Sequence, residues 1–144
     1  MITLAFYKGP GQFFDKVIRW VTRSPYSHVA VIIDSVCYEA DAWSGRVLSR
    51  PWEFNPDNWF ILDVSRPSDL EVVKLFLSVQ VGRRYDYPGI IGFALPWRPN
   101  VSQWWYCSEL AAAALGLSNT SVSPGDLYQI ICGSARLNNP PIVA

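Results

Sequence analysis

The chain has 144 residues, half of them hydrophobic, which is enough for one domain with a sizeable core. Its 12 basic and 12 acidic residues give no net charge, which argues against a dedicated nucleic-acid-binding protein, since such proteins carry a basic face. The longest apolar stretches, Ile90–Trp97 and Leu110–Leu117, are too short to span a bilayer, so no transmembrane segment is expected.

The beginning of the chain lacks the basic start and long apolar run of a signal peptide, so none is expected. Three cysteines, an odd number, do not indicate a disulfide scaffold and fit a reducing compartment. The expected location is therefore cytoplasmic or inside an assembled particle. No repeat, low-complexity tract or linker interrupts the chain, so residues 1–144 are expected to form a single domain.

Apolar runs and turn signals alternate in the first half of the chain. In chain order, the predicted elements are a strand at Ile2–Tyr7, a helix at Gln12–Thr22, and strands at His28–Ile33, Val36–Ala40, Arg46–Arg50 and Trp59–Val64. The helix is expected to end at Ser24, because Pro25 disfavours a helical residue before it. Asp34 and Ser35 form a two-residue turn signal, which predicts a hairpin of the second and third strands.

Helix signals dominate the second half. In chain order, the predicted elements are a helix opened by a capping-box pattern at Ser68–Glu71 and ending near Val81, a short helix or irregular segment at Tyr87–Leu95, a helix at Cys107–Leu115, and a last helix from Ser123–Asp126 to about Cys132. Gly82, Gly116 and Gly133 follow three of these helices and predict where each one ends. The whole pattern predicts an α+β fold, a small antiparallel sheet with packed helices.

Cys107 stands in the first turn of a predicted helix. Backbone N–H groups there lack partners within the helix, and the helix dipole is positive at this end. Both features stabilise a thiolate, and the same N–H groups can stabilise an oxyanion during acyl transfer. Position alone also fits a buried cysteine that acts only as a small hydrophobic residue.

His28 is the only histidine of the chain and begins an apolar strand. A thiol hydrolase needs an imidazole to take and return a proton, so His28 must be the general base if the chain is one. The alternative is a histidine that serves only packing or the surface. One histidine and scattered cysteines give no ligand spacing of the zinc type, so neither a metal nor another cofactor is expected.

Two acidic residues of the predicted hairpin are candidates to orient the imidazole. With a two-residue turn, position 28 faces position 41, and both lie on the same face as position 39. Asp41 is then the direct neighbour of His28, and Glu39 is the diagonal one. A slip of one residue would reverse this face, and both acids would also suit a solvated strand end.

Four short motifs carry a resemblance to a known family. In chain order, they are Ser27-His28-Val29, Tyr38-Glu39-Ala40, Gly82-Arg83-Arg84-Tyr85 and Tyr106-Cys107-Ser108-Glu109-Leu110. The chain resembles the NlpC-type papain-like cysteine hydrolases, in particular their circularly permuted branch with YiiX-like proteins and lecithin–retinol acyltransferase relatives. In ordinary members the cysteine motif precedes the histidine, whereas here the order is rotated. The resemblance covers roughly residues 24–118 and implies a permuted papain-like fold.

The resemblance implies a role for each matching position. Cys107 matches the nucleophile, His28 the base, and Glu39 the third polar residue, with Asp41 as the reserve candidate. Tyr85 matches the tyrosine that lies beside the nucleophile and helps to hold the oxyanion.

Other positions leave parts of the resemblance open. Tyr26, two residues before the histidine, is an alternative lining residue of the same pocket. Tyr106 and Glu109 replace the Asp and Gly of the ordinary motif, which is usual in the permuted branch but weakens the transfer of a peptidoglycan substrate. Cys37 and Cys132 match no motif and are expected to be packing residues.

Three functional readings follow. The first is a cysteine amidase or peptidase acting on an amide bond, such as one in a cell-wall peptide. The second is a thiol acyltransferase or lipid esterase. The third is a non-enzymatic papain-like domain, for example in a phage particle, since phage genomes encode family members. Aromatic residues make up 15% of the chain and predict either a tightly packed core or a groove for an extended apolar or sugar-bearing substrate.

Overall fold

Five antiparallel strands form one sheet in the computed structural model, which describes residues 1–53, 55–64, 70–92 and 104–138. The strands are β1 (Ile2–Tyr7), β2 (His28–Ile33), β3 (Val36–Asp41), β4 (Arg46–Pro51) and β5 (Trp59–Val64), in the spatial order β4-β3-β2-β1-β5. The helices are α1 (Phe13–Thr22), α2 (Leu70–Gln80), α3 (Tyr87–Ile91), α4 (Cys107–Ala114) and α5 (Pro124–Asn138). The fold is therefore α+β, which confirms the predicted class.

The two faces of the sheet bury different side chains, because successive residues of a strand point to opposite faces. One face forms the main core with α2, α4 and α5; its strand residues are Ile2, Leu4, Phe6, Val29, Val31, Ile33, Tyr38, Ala40 and Val47. The opposite face buries only a small cluster, Ala5, Ala30, Ile32 and Cys37, with Trp52 and Trp59 packed against it. By the same alternation, His28, Glu39 and Arg50 belong to this second face.

The β2–β3 hairpin has the predicted two-residue turn. Ile33 pairs with Val36, so only Asp34 and Ser35 lie between the strands. Both turn residues have left-handed backbone angles, with φ of 50° and 62°, as a type I′ turn requires. This register carries positions 28 and 39 to one face, which is the arrangement predicted from the sequence.

The last helix is longer than predicted. α5 continues to Asn138, whereas its end was expected at Gly133. The expectation was wrong because a glycine inside a helix costs only about 1 kcal/mol, which the good helix formers after it can offset. Gly133 itself is exposed, and a Cβ built on it would meet no atom within 4 Å.

Two predictions lie partly outside the described residues. The capping box at Ser68–Glu71 includes two such residues, and the described part of this helix begins at Leu70. The segment Tyr87–Leu95 is helical over Tyr87–Ile91, and its last three residues are not described.

Candidate active site

His28 and Glu39 make the central contact of the candidate site. Nε2 of His28 lies 2.7 Å from Oε2 of Glu39. The side chain of Glu39 is buried, and that of His28 is 19% exposed. On the other side, Nη2 of Arg50 lies 2.5 Å from Oε1 of Glu39. One buried carboxylate therefore joins an imidazole to a guanidinium, and the hydrogen bond fixes the orientation of the imidazole ring.

Cys107 reaches His28 from the helical layer. It is the first residue of α4, after the N-cap Tyr106, and α4 packs against β2 and β3. The charge of the Cys107 thiol acts on the imidazole of His28 and raises its pKa. Because Nε2 of His28 is held by Glu39, Nδ1 is the ring nitrogen left for the thiol. The three residues therefore follow one another as cysteine, imidazole and carboxylate.

The interactions among Cys107, His28, Glu39 and Arg50 favour the charged forms of His28 and Glu39. Burial alone would lower the pKa of His28, but the charge and hydrogen bond of Cys107, and then those of Glu39, raise it well above the usual value of about 6.5. Burial alone would raise the pKa of Glu39, but His28 and then Arg50 lower it to about 2. Glu39 is therefore a carboxylate at neutral pH, and its charge favours the imidazolium form of His28.

A short extended segment, residues 82–86, links β4 to the start of α4. Its backbone hydrogen bonds are Gly82 N to Val47 O, Val47 N to Arg83 O, Tyr85 N to Gly45 O, Trp105 N to Arg84 O and Asp86 N to Trp105 O, all between 2.8 and 3.0 Å. Gly82 has a φ of 87°, a left-handed value that favours glycine at this position. The segment thus joins Trp105 to the edge of the sheet. Trp105 directly precedes Tyr106, the N-cap of α4.

Tyr85 lies on this segment beside Cys107. Its side chain is almost fully buried. Burial, and then the charge of Cys107, raise the pKa of Tyr85 well above its usual value of about 10. The phenol therefore stays protonated at neutral pH and remains a hydrogen-bond donor.

A second network joins α1 to the strand that carries His28. The hydroxyl of Ser27, the residue before His28, donates to Oδ1 of Asp15 at 2.7 Å. The guanidinium of Arg19 donates to the same hydroxyl oxygen at 3.2 Å and also to the carbonyl of Gly9. Ser27 is buried, so these contacts hold the start of β2 against the helix.

A cleft of about 420 Å³ opens beside His28. Its lining residues are Tyr7, Pro10, Gly11, Gln12, Phe14, Asp15, Ile18, Ser27, His28, Glu39, Asp41, Ala42, Trp43, Arg50, Trp59 and Tyr85. Cys107 is not among them and is only 1% exposed. The cleft therefore reaches His28 and Tyr85 directly, whereas Cys107 is not part of its wall.

Aromatic rings surround the cleft. The ring of Trp59 lies 6.1 Å from the imidazole of His28 and 5.0 Å from the ring of Tyr7, measured between centroids. Phe14 of α1 and Trp43 of the turn after β3 meet edge to face at 5.7 Å. Aromatic residues thus line the cleft, and others of them, such as Phe6, pack in the core.

Two sequence candidates have other positions than those considered. Tyr26 does not line this cleft; its ring packs against Phe6 and Tyr128 at 5.4 and 4.9 Å, beside a different cleft. It precedes β2, so strand alternation does not carry it to the face of His28. Asp41 lines the cleft, but its carboxylate accepts from the backbone N–H of Ser44 at 2.8 Å and caps the turn. Glu39, not Asp41, contacts the imidazole.

The other two cysteines are also free. Cys37 is buried in the small cluster, where burial and then the charge of Glu39 raise its pKa to about 12. Cys132 is half-buried in α5, and its hydrogen bond raises the pKa of Tyr128 to about 12.

Sequence reasoning assigned no role to four residues that shape the site: Arg50, Ser27, Asp15 and Trp59. Arg50 could have been found from the alternation of β4, once that strand is paired with β3 so that Arg50 stands opposite Cys37. No signal in the sequence indicates the contact between Asp15 and Ser27, because it joins a helix to a strand through packing.

Comparisons with protein-family models, with curated proteins and with solved structures gave no match to this chain. The likeness to permuted NlpC-type hydrolases thus remains a prediction from the motifs. In the described part of the chain, no helix combines the length and apolar character needed to cross a membrane. Nor do the described residues include a group of three or more His, Cys, Asp or Glu side chains that could hold a metal ion.

Proposed function

We propose that this chain is a cysteine hydrolase that acts by two-step acyl transfer, with Cys107 as nucleophile, His28 as general base and Glu39 as the orienting carboxylate. One observation carries the proposal: the sole imidazole is held at 2.7 Å by a buried carboxylate, and the charge of a thiol at a helix start raises the pKa of that imidazole. This order of groups is the one that nucleophilic catalysis by a thiol requires.

In the first step, Nδ1 of His28 takes the proton of the Cys107 thiol, and the thiolate attacks a carbonyl carbon. The imidazolium, stabilised by Glu39, then gives that proton to the leaving amine or alcohol as its bond to carbon breaks. In the second step, His28 takes a proton from water, and the hydroxide attacks the thioester. The acid is released and Cys107 regains its proton. General-base catalysis of this type contributes about 10²–10⁴-fold.

The oxyanion of each tetrahedral intermediate has two candidate donors. The N–H groups in the first turn of α4 have no partners within the helix and surround Cys107. The hydroxyl of Tyr85 is the second donor, because its raised pKa keeps it protonated beside the sulfur. Loss of one such donor typically costs about 10²–10³-fold in kcat.

The substrate proposed first is an amide, such as one in a peptidoglycan stem peptide, since the resemblance leads to amidases and peptidases. The second candidate is an acyl ester or lipid handled by a thiol acyltransferase or esterase. Phe14, Trp43 and Trp59 support this candidate because they give the cleft an apolar wall. The third candidate is a non-enzymatic domain of a phage particle, in which Cys107 is expected to be unreactive.

Alkylation by iodoacetamide at neutral pH tests the activated thiol, with mass spectrometry of peptides to assign each site. The chain offers a matched control, since Cys37 is as buried as Cys107 but has a pKa raised to about 12. We expect Cys107 to react at least about tenfold faster than Cys37, and His28→Ala to remove the difference. Equal rates for the two cysteines would leave only the non-enzymatic reading.

Substrate class requires a separate assay. Peptidoglycan fragments released by the wild type and not by Cys107→Ala would support the amidase. Turnover of acyl esters without any effect on peptides would support the second candidate.

A further inference from the structure

We infer that the exposed face of α1 is a docking surface for an anionic lipid membrane. Four residues define this surface: Phe13, Lys16, Trp20 and Arg23. Phe13 and Trp20 are 74% and 80% exposed, and both cations are exposed as well. The inference goes beyond the proposed chemistry, because it concerns where the protein binds and not what it cleaves.

Helix geometry brings these residues together. Phe13 and Trp20 are seven positions apart, so they lie along one side of the helix, about 10 Å apart. Lys16 lies one turn after Phe13, and Arg23 follows the last helical residue as the C-cap, with left-handed backbone angles. The opposite side of α1 buries Ile18 and supplies Asp15, whose carboxylate is engaged by Ser27. The rings of Phe13 and Trp20 therefore lie on the side of the helix that faces away from Ile18.

The charge of the surface is positive. Asp15 is the only acidic residue of α1, and its two carboxylate oxygens accept from the Ser27 hydroxyl and from the Gln12 backbone N–H. Lys16 and Arg23 are exposed beside the aromatic side chains. Amphipathic side chains and cations on one face are typical of helices that lie in the headgroup region of an anionic bilayer. The core of a protein interface, by contrast, is depleted of lysine.

The surface continues to the cleft. The ring of Phe13 contacts that of Phe14, which lines the cleft, and Phe14 contacts Trp43, which is 60% exposed. A bilayer bound at α1 would therefore face the mouth of the cleft.

The test is co-sedimentation with vesicles of phosphatidylcholine alone and of phosphatidylcholine mixed with phosphatidylglycerol. We expect the wild-type chain to bind the mixed vesicles at low salt, and to bind them less at high salt because salt screens the attraction. Binding to the neutral vesicles should be weaker by about tenfold or more. The inference would be overturned if the chain did not bind mixed vesicles. It would also be overturned if binding did not depend on salt concentration or on phosphatidylglycerol.

Variants locate the surface. Phe13→Ala with Trp20→Ala, and separately Lys16→Gln with Arg23→Asn, should each weaken binding to mixed vesicles by about tenfold or more. Asparagine suits position 23, where φ is 50°. The matched control is Val72→Ala with Leu75→Ala on α2, which removes two side chains that are 61% and 67% exposed and should leave binding unchanged. Equal loss in the control would contradict the assignment to α1.

Two further measurements separate the possible outcomes. Light scattering that shows a dimer lost in the Phe13→Ala, Trp20→Ala variant, without vesicle binding by the wild type, would identify a second copy of the chain as the occupant and reject the membrane. Alkylation of Cys107 should be the same in every α1 variant, so failure of the docking inference remains distinguishable from failure of the proposed hydrolase.

Discussion

His28 has two partners that both favour its charged form. Glu39 contributes a carboxylate that Arg50 already holds in place, and Cys107 contributes a thiol that becomes negative when its proton moves to the imidazole. Each partner raises the pKa of His28 against the effect of burial. The pKa of His28 is therefore a measure of its interactions with both Glu39 and Cys107.

Nuclear magnetic resonance can follow His28 without ambiguity, because it is the only histidine of the chain. We expect its imidazole to titrate above the usual pKa of about 6.5, and both Glu39→Gln and Cys107→Ala to lower that pKa. Asp41→Asn is the matched control: it removes a neighbouring charge that does not contact the ring, and the amide oxygen can still accept from Ser44. An unchanged pKa of His28 in Cys107→Ala would show that the thiol does not interact with the imidazole.

Local signals in the sequence were sufficient for most elements. Asp34 and Ser35 specify the hairpin turn, and the alternation after that turn places Glu39 near His28. The helix start at Cys107 follows from the Ala-rich segment behind it. The contacts of Arg50 and Ser27 were not predicted. The position of Arg50 depends on the register between β3 and β4, and the contact of the Ser27 hydroxyl depends on how α1 packs.

Glycine at a helix end and glycine inside a helix look alike in the sequence, but the backbone separates them. Gly82 has a φ of 87°, whereas Gly133 lies inside α5, and a Cβ at either position would meet nothing within 4 Å. Gly133→Ala should therefore stabilise the fold by about 0.5–1 kcal/mol. Gly82→Ala should destabilise it by about 1–2 kcal/mol. Urea unfolding measures both changes in the free energy of unfolding. If both substitutions destabilised the fold, the extension of α5 through Gly133 would be contradicted.

The candidate site joins parts of the molecule that are far apart in the chain. His28, Glu39 and Arg50 come from three adjacent strands, and Cys107 comes from a helix on the other side of the sheet. The buried carboxylate of Glu39 is stable only while the imidazole and the guanidinium lie against it. Folding of the whole sheet is consequently coupled to the ionisation of this one side chain.

Acid unfolding should reveal this coupling. The pKa of Glu39 is about 2 in the folded chain, below the ordinary value of 4.5, so its ionisation stabilises the fold above the ordinary pKa. That stabilisation, of the order of 2–3 kcal/mol, should disappear as the pH falls from about 5 to about 2. Glu39→Gln should show a much weaker pH dependence in urea unfolding over this range. The control is Asp34→Asn, which removes an exposed ion pair with Lys74 and should behave like the wild type. Similar acid sensitivity in Glu39→Gln and the wild type would show that other carboxylates control acid unfolding.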